Sequence, residues 1–218
     1  MNVLLGNAGE LYTHLVEPAE DPLLAAKIIS TIGDEFEPFM FETDRLLHNY
    51  VASAKSLVDH TRVLVRSYSD NEFESDYDRH KRPLVESPVN SFVGDLRDYT
   101  LHRSLLPLRA IGGSYDLMSE NPGFDFDVCM DRDELLPWGR WRAGSTRFLE
   151  SAQDHIPLLP MLKDHVGLLN DLYVWLFQQF EVLHEEEWSS YQAERDAIRL
   201  DFLGPVDFIR EQSPGTTS

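Results

Sequence analysis

The sequence predicts a mainly α-helical protein, an antiparallel helical bundle that carries one small inserted β-hairpin. Apolar residues recur at three- and four-residue steps over most of the 218-residue chain, which is the spacing of amphipathic helices. Short polar connections join these segments and favour antiparallel neighbours. Between residues 107 and 131 the pattern changes to turn residues and alternating apolar positions. We therefore expect one helical domain over residues 1–210 and a disordered tail over 211–218.

Start and stop signals divide the helical part of the chain into five predicted helices. Asp21 and Pro22 suit the cap and the first position of a helix, and Ser87 and Pro88 form a second start signal of the same kind. The apolar stripe that follows each signal ends at a glycine, a proline or a polar stretch. The predicted helices cover residues 21–33, 39–68, 87–104, 145–156 and 162–201.

Three stretches lack this helical spacing. Residues 1–20 show no clear period and are predicted to form an irregular lead-in. Residues 69–82 are polar and are predicted to form a loop. Phe124, Phe126 and Val128 alternate with polar residues and lie near glycine- and proline-containing turns. This alternation predicts the two short strands of the hairpin.

The composition excludes several classes of protein. Cys129 is the only cysteine, which excludes an internal disulfide and a cysteine-based zinc site. The first residues lack a basic region followed by a long apolar run, so we expect no signal peptide. No stretch of about 18 apolar residues occurs, so we expect no membrane-spanning helix. Together these features predict a cytoplasmic protein.

The charge of the chain is strongly negative but unevenly distributed. A formal net charge of -19 disfavours binding to nucleic acid. Residues 79–147, however, carry ten basic and ten acidic side chains, so the whole excess of negative charge lies in the flanking segments. An enzyme needs positive potential only at the phosphate that it cleaves. The neutral region is therefore the part of the chain where a phosphate site is expected.

Residues 97–102, with the sequence Arg-Asp-Tyr-Thr-Leu-His, lie in this neutral region, near the end of a predicted helix. An arginine can hold a phosphate through its forked donors, and a histidine can transfer a proton near neutral pH. Together the two side chains are sufficient to cleave RNA without a metal ion. Their spacing resembles the Arg-x4–6-His motif of the HEPN superfamily, small helical domains that include many metal-independent ribonucleases.

The resemblance implies a reaction and two catalytic residues. His102 acts in this scheme as general base or acid on the 2′-hydroxyl or the leaving 5′-oxygen, and Arg97 stabilises charge on the phosphate in the transition state. The products are a 2′,3′-cyclic phosphate end and a 5′-hydroxyl end. The resemblance also implies a homodimer in which two motif helices meet, an RNA substrate, no metal or other cofactor, and, for a toxin, a cognate inhibitor protein.

The helix surface between the two motif residues is small and polar. Residues five positions apart project about 140° from one another on a regular helix. Asn90, Gly94, Asp98 and Leu101 lie in the sector between Arg97 and His102. A glycine inside a helix costs about 1 kcal/mol relative to alanine, so we expect another backbone or a ligand to approach closely at Gly94. Asp98 and Asn90 are the candidates to orient the catalytic histidine.

Other residue groups allow different interpretations. Glu181 and His184 have the Glu-x-x-His spacing of di-iron bundles, but the chain lacks the second pair that such a site needs, so no metal site is predicted. A mononuclear site that includes His165, Asp164 and Asp171 stays open as an alternative. Residues 79–82, Arg-His-Lys-Arg, form a basic cluster that either contacts phosphate or balances the neighbouring Asp76 and Asp78.

The alternative function is that of a non-catalytic helical protein that binds a partner. Arg97 and His102 are then interface residues. His102 pairs with Asp98 one turn earlier, or is favoured at the end of the helix by the helix dipole alone.

Overall fold

Helices make up most of the computed structural model, which describes residues 1–30, 34–68, 71–115 and 123–203. In these ranges the helices are α1 (Asn2–Glu20), α2 (Pro22–Ile29), α3 (Phe36–Ser67), α4 (Asn71–Glu86), α5 (Pro88–His102), α6 (Arg132–Leu135), α7 (Ala143–Ser151), α8 (Leu158–Leu183) and α9 (Glu185–Leu203). The strands are β1 (Leu108–Tyr115), β2 (Gly123–Asp131) and β3 (His155–Pro157). The expected fold class, mainly α with a small β insertion, is confirmed.

The chain divides into two compact units, residues 1–173 and residues 174–218. The core of the first unit contains large side chains from α1, α3, α5 and α8, including Leu11, Leu47, Tyr50, Phe92, Leu96 and Leu162. The second unit is described as far as residue 203 and comprises the end of α8 and α9. Among the described residues, no helix is both long and apolar enough to cross a membrane. The tail predicted over 211–218 lies outside the described residues.

The irregular lead-in predicted over residues 1–20 is wrong, because α1 covers almost all of this segment. Leu4, Ala8, Leu11 and Leu15 are buried on one face of the helix at three- and four-residue steps. Two glycines and Pro18 lower the intrinsic helix propensity of the segment. Packing of the apolar stripe against α3 therefore stabilises α1 more than propensity does.

The loop predicted over residues 69–82 is also wrong, because α4 begins at Asn71. Phe73, Tyr77 and Leu84 are buried at helical spacing, and three buried side chains are enough to hold the helix against its neighbours. On the exposed face, ion pairs one turn apart join the basic cluster to its acidic neighbours. These pairs are Arg79–Asp76 at 2.9 Å and Lys81–Asp78 at 2.5 Å. The cluster thus balances neighbouring charge, as one of its two interpretations held.

The start signals of the other helices are confirmed in part. Oδ1 of Asp21 accepts hydrogen bonds from the backbone N–H groups of Leu23 and Leu24, at 2.9 and 3.2 Å, so this residue caps α2 as expected. Pro88 occupies the first turn of α5, whereas the side chain of Ser87 makes no capping hydrogen bond. The last residues of the helix predicted over 21–33 lie outside the described residues.

The predicted hairpin is present and gains a third strand. β1 and β2 pair in antiparallel orientation with Ala110 opposite Val128, and β3 adds to β2 with Met130 opposite Ile156. The third strand was not predicted. It occupies the end of the segment predicted as a helix over 145–156, so α7 ends at Ser151. Burial of Ile156 beside β2 explains why this short stretch is extended.

The helix predicted over 162–201 is divided at His184 into α8 and α9. The backbone N–H of His184 donates to the carbonyl of Phe180 at 3.0 Å, and the N–H of Trp188 donates to the carbonyl of His184 at 2.8 Å. Helical hydrogen bonds are thus present on both sides of His184, the one residue that separates α8 from α9.

Helix α5, which carries the Arg-x4-His motif, lies against α3, α4 and α7. Its buried stripe contains Val89, Phe92, Leu96 and Tyr99, as the apolar spacing predicts. The stripe fixes the rotation of the helix about its axis. It therefore determines which of the remaining side chains face solvent.

Candidate functional site

One face of α5 borders a cleft of about 420 Å³, which we call the α3–α5 cleft. Asn90 and Asp98, the two residues expected to support a catalytic histidine, both line it. The lining combines an apolar floor with cationic, acidic and neutral polar groups. Its residues are Val51, Ala54, Lys55, Val58, Arg62, Val85, Asn90, Ser91, Val93, Gly94, Asp95, Asp98, Arg140, Arg142 and His165.

The two motif residues lie on either side of this face, and neither lines the cleft. At about 100° per residue, Arg97 projects about 60° to one side of Gly94, and His102 about 80° to the other. Arg97 is half-buried, whereas His102 is exposed. Within the described residues, the side chain of His102 has no hydrogen-bond or ion-pair partner. In one copy of the chain the two side chains therefore point in different directions.

The close approach expected at Gly94 is made by a side chain of the same chain. A Cβ atom at Gly94 would lie 2.7 Å from Nη2 of Arg142, and the same nitrogen donates a hydrogen bond to the carbonyl of Ser91 at 3.3 Å. On α7, a Cβ atom at Gly144 would lie 2.7 Å from Cβ of Ser91. Small residues on both helices thus allow α5 and α7 to pack closely.

Asp95 anchors the start of α7 to α5. Its side chain is only 4% exposed and accepts hydrogen bonds from the backbone N–H of Arg142 at 2.8 Å and from the hydroxyl of Ser145 at 2.5 Å. The carboxylate also forms an ion pair with the guanidinium of Arg142. Sequence reasoning missed this group, because its members lie 47 and 50 positions apart.

A second polar group joins α5 to α3 and α8. His165 is 2% exposed, and both of its ring nitrogens have partners. Nδ1 lies 2.5 Å from the hydroxyl of Tyr50, and Nε2 lies 3.2 Å from Oδ1 of Asn90. Burial lowers the pKa of His165 to about 4, so the ring is neutral at pH 7. Burial also raises the pKa of Tyr50, which keeps its hydroxyl protonated.

The neutral ring defines the direction of these hydrogen bonds. Oδ1 of Asn90 can only accept, so Nε2 of His165 carries the proton and donates it. Nδ1 is then the acceptor and takes a hydrogen bond from the hydroxyl of Tyr50. Sequence reasoning placed Tyr50 in the apolar stripe of its helix and named His165 only for a mononuclear metal site. The signal that was present is a polar ring at a core position of a predicted helix.

Four cationic side chains line the cleft, and three of them are paired with carboxylates. Nζ of Lys55 lies 2.5 Å from both carboxylate oxygens of Asp59, and Arg142 is paired with Asp95. This hydrogen bond from Lys55 is the main cause of the lowered pKa of Asp59. Arg62 lies 3.5 Å from Asp59. Within the described residues, Arg140 forms no ion pair.

An aromatic cluster positions the segment that carries two of these arginines. Tyr99 of α5 stacks on Trp141 with ring centroids 5.5 Å apart, and Trp138 meets Trp141 edge-on at 4.6 Å. Such contacts stabilise rigid packing beyond the area they bury. The tryptophans thus fix the segment from which Arg140 and Arg142 reach the cleft.

The structure offers no converging set of metal ligands in the residues that it describes, where no three His, Cys, Asp or Glu side chains form a group that could hold an ion. His184, which belongs to the Glu-x-x-His pair, has its Nδ1 3.8 Å from Oε2 of Glu187.

Comparison with models of known protein families, with curated proteins and with solved structures finds no match to this chain. The resemblance to the HEPN superfamily is thus carried by residues 97–102 and their helical setting alone.

Proposed function

We propose that this chain is a metal-independent endoribonuclease of the HEPN type, a cytoplasmic toxin or defence protein in which His102 transfers protons and Arg97 stabilises charge on the phosphate. The observation that carries the proposal is the position of these residues on either side of a polar face of α5 that borders a cleft. Four cationic and only two acidic side chains line that cleft. It provides local positive potential within a chain of net charge -19.

The reaction uses only groups that the chain supplies. A histidine removes the proton of the 2′-hydroxyl, and the resulting oxygen attacks the adjacent phosphorus. The bond from phosphorus to the 5′-oxygen breaks, and that oxygen receives a proton from a histidine. The guanidinium of Arg97 holds the negative charge that develops on the phosphate oxygens. A 2′,3′-cyclic phosphate and a 5′-hydroxyl are formed, without a redox step or a co-reactant.

A homodimer completes this site, because one copy directs its arginine and its histidine to different sides of α5. Exposed apolar side chains at the end of the helix support such pairing. Leu101 and Leu105 are 53% and 78% exposed, and Phe41 of α3 is 74% exposed. Phe41 and Leu105 also line one shallow groove of about 250 Å³. Surfaces of this kind mark protein interfaces, and a second copy is the partner that the composite site requires.

Light scattering at tens of micromolar tests the dimer. We expect the mass of two chains, and Leu105→Asp should shift the population towards one. Gly94→Leu is a less direct probe, since the new side chain also displaces Arg142 of its own chain. A wild-type protein that is monomeric under these conditions would remove the basis of the composite site.

Cleavage of a mixed cellular RNA sample in EDTA, with mapping of the product ends, tests the activity itself. His102→Ala should lower the rate by roughly 10²–10⁴ through loss of proton transfer. Arg97→Ala should raise the barrier by about 3–4 kcal/mol. Arg97→Lys should restore little activity, because an ammonium group lacks the forked donors.

Two exposed residues of the same types provide matched controls. His60→Ala and Arg103→Ala remove a histidine and an arginine that lie outside the motif, and both variants should cleave like the wild type. Pure wild-type protein that cleaves no RNA, or motif variants that cleave as fast as the wild type, would overturn the proposed activity.

The exposed apolar end of α5 also favours a second candidate function, the binding of a different protein without catalysis. Leu101 and Leu105 would then contact that protein, and His102 would be part of the interface. A cognate inhibitor protein is one such partner. RNA that stays intact, together with a stable complex that Leu105→Asp weakens, would favour this function over the nuclease.

A further inference from the structure

We propose that the outer edge of β1 binds an extended segment of another protein, in which basic and apolar side chains alternate. The segment adds a fourth strand to the three-stranded sheet, held by backbone hydrogen bonds, and its basic side chains lie on the exposed face of the sheet. The proposed cleavage uses neither this strand nor this face. The inference thus goes beyond that function and stands whether or not the chain cleaves RNA.

β1 is an edge strand, and every second residue directs its backbone groups away from the sheet. In the order β1–β2–β3, β1 pairs with β2 on one side only. The backbone N–H of Asp131 donates to the carbonyl of Pro107 at 3.0 Å, one position before the first residue pair of this ladder. Because hydrogen-bonded pairs alternate along an antiparallel ladder, the odd-numbered residues of β1 bond to β2. The N–H and C=O groups of Ala110 and Gly112 therefore point outwards, and no described residue forms a backbone hydrogen bond with them.

The outer edge of β1 is accessible and lacks the usual protection of an edge strand. Gly112 and Gly113 are both exposed, and a glycine exposes only backbone atoms. Natural sheets usually protect such an edge from pairing by charged side chains, a proline or a bulge. β1 contains one charged residue, Arg109, and no proline, and its register with β2 continues without a bulge over all eight residues. The strand can therefore accept a further strand along its length.

The two faces of the sheet differ in burial and in charge. Phe126, Val128 and Met130 are buried on one face of β2. Asp125 and Asp127 point to the opposite face, because side chains alternate along a strand. Asp125 is exposed, and burial raises the pKa of the half-buried Asp127, so a nearby cation would stabilise its charged form. Within the part of the chain that the structure describes, neither carboxylate forms an ion pair.

A basic side chain on an added strand can reach these carboxylates. Asp125 lies directly opposite Gly113 of β1, which has no side chain to separate the carboxylate from the outer edge. A residue added beside Gly113 lies two strand spacings from Asp125, roughly 10 Å. An extended lysine or arginine side chain and the aspartate together span this distance. The exposed face therefore favours a segment with basic residues at alternate positions.

The other face favours apolar residues at the positions between them. A Cβ atom at Gly112 would meet Cδ1 of Ile29, so the side chain of Ile29 on α2 covers Gly112 on the buried face. A residue added beside Gly112 has its side chain on this same face, next to an apolar group. Burial of that side chain adds to the backbone hydrogen bonds. The alternation of basic and apolar residues follows from these two faces.

A second copy of the chain is a poorer occupant of this edge. β1 carries one cation, Arg109, whose guanidinium is already paired with Asp131 at 2.9 Å and with Glu134 at 2.7 Å. Pairing of two β1 strands would bring together two sheets that both carry Asp125, in chains of net charge -19. Opposite charge favours association and like charge opposes it. A basic segment of a different protein therefore fits the edge better.

Fluorescence anisotropy with labelled octapeptides tests the inference on the full chain. The probe alternates lysine and valine, and the control peptide has glutamate in place of every lysine. We expect the lysine peptide to bind roughly tenfold more tightly or better, and to bind more weakly as salt is added. Failure of the lysine peptide to bind at millimolar concentration would overturn the inference. Equal binding of the glutamate peptide would overturn it as well.

N-methylated peptides test whether the contact is made by the backbone. One version of the lysine peptide is methylated at the backbone nitrogen of every lysine, and the other at that of every valine. Because a strand donates to each neighbour through alternate residues, one version should bind roughly tenfold more weakly and the other should bind as before. Equal binding of the two versions would contradict strand addition.

Amide hydrogen exchange locates the added strand on β1. The peptide should slow exchange at Ala110 and Gly112, whose N–H groups point outwards, more than at Ile111, which already bonds to β2. Exchange that stays unchanged at both outward amides while the lysine peptide is bound would place the peptide elsewhere and overturn the inference.

Variants with matched controls test the assigned contacts. Ala110→Pro removes one outward N–H, which an edge strand tolerates, and should weaken binding of the lysine peptide roughly tenfold, whereas Ala110→Val keeps this donor and should bind normally. Asp125→Lys should weaken binding by a similar factor, and Glu150→Lys, an exposed residue of α7, should not. Asp125 is exposed, so unchanged binding by Asp125→Lys would overturn the inference even if Ala110→Pro fails to fold.

Light scattering distinguishes a partner segment from a second copy. Ala110→Pro should leave the mass of the protein unchanged, because the proposed dimer uses the end of α5. A wild-type dimer that Ala110→Pro dissociates would place a second copy on the edge of β1 and overturn the inference. Peptide binding by His102→Ala at the wild-type level, with or without RNA cleavage by the wild type, separates the inference from the proposed function.

Discussion

The first half of α5 and its last turn differ in how firmly their polar side chains are held. Asn90 and Asp95, in the first half, are joined by hydrogen bonds to α8 and to the start of α7. In the last turn, His102 is exposed and has no hydrogen-bond partner within the described residues. The same helix thus contains a rigid polar segment and a loosely held one.

This difference indicates two roles for one helix. Fixed donors are typical of a group that recognises a bound molecule, because the ligand meets them without further ordering. An exposed histidine with no orienting partner acquires a defined position only when something docks against it. We therefore infer that recognition takes place in the first half of α5, and that the last turn is completed by a second copy or by substrate.

The largest expected effect is a loss of stability in acid, and it concerns the first half of α5, where the polar side chains are firmly held. The pKa of His165 is about 4 in the folded protein and 6.5 as its ordinary value, so between these pH values the unfolded chain binds more protons. The stabilisation is fully present above pH 6.5 and is lost as the pH falls to 4. At about 1.4 kcal/mol per pKa unit, roughly 3 kcal/mol of unfolding free energy should disappear.

Urea unfolding at a series of pH values measures this loss. His165→Gln should be less stable than the wild type at pH 7 but should lose less stability between pH 6.5 and 4. His14, whose pKa burial also lowers, acts in the same direction and keeps some slope in the variant. Identical slopes in both proteins would mean that His165 is accessible to solvent protons in the folded state.

The next effect is a difference in stability between variants of Asp95 and Asp98, two carboxylates one turn apart on α5. Asp95→Ala leaves the hydroxyl of Ser145 and the backbone N–H of Arg142 without their acceptor, which should lower the unfolding free energy by about 2 kcal/mol. Asp98→Ala, at an exposed position, should change it by less than about 0.5 kcal/mol. Thermal or urea unfolding of the two variants side by side measures the contrast, and equal effects would contradict the anchoring role of Asp95.

A smaller effect is expected at the two glycines between α5 and α7. Gly144→Ala places a methyl group against Cβ of Ser91, which cannot move away without shifting the helix, and should destabilise by about 1 kcal/mol. Gly94→Ala meets only the end of the flexible Arg142 side chain, so the gain in helix propensity should offset the displacement. Unfolding measurements that reverse this order would place the tight contact elsewhere.

The elements that sequence reasoning predicted are those whose signals are local. The apolar stripe of α3, the cap at Asp21 and the alternation in β2 all lie within a few residues of the structure they specify. α1 and α4 were missed because their stripes are sparse, and burial against distant helices stabilises them. The polar face of α5 was predicted from its projection. The hydrogen bond between His165 and Asn90 on this face was not predicted, because 75 residues separate the two in the chain.

The smallest expected effect concerns the end of α5, where the side chains of the motif are loosely held. His102→Ala removes an exposed side chain without partners in the described part of the chain, so the unfolding free energy should change by less than about 0.5 kcal/mol. Arg97 is half-buried but makes no side-chain hydrogen bond to any described residue, so Arg97→Ala should have a similarly small effect. Urea unfolding checks both values. A loss above about 1 kcal/mol in either variant would indicate a structural role for the motif. Retained stability with lost RNA cleavage would instead separate function from folding within a single helix, because the loss of activity could then not be attributed to an altered fold.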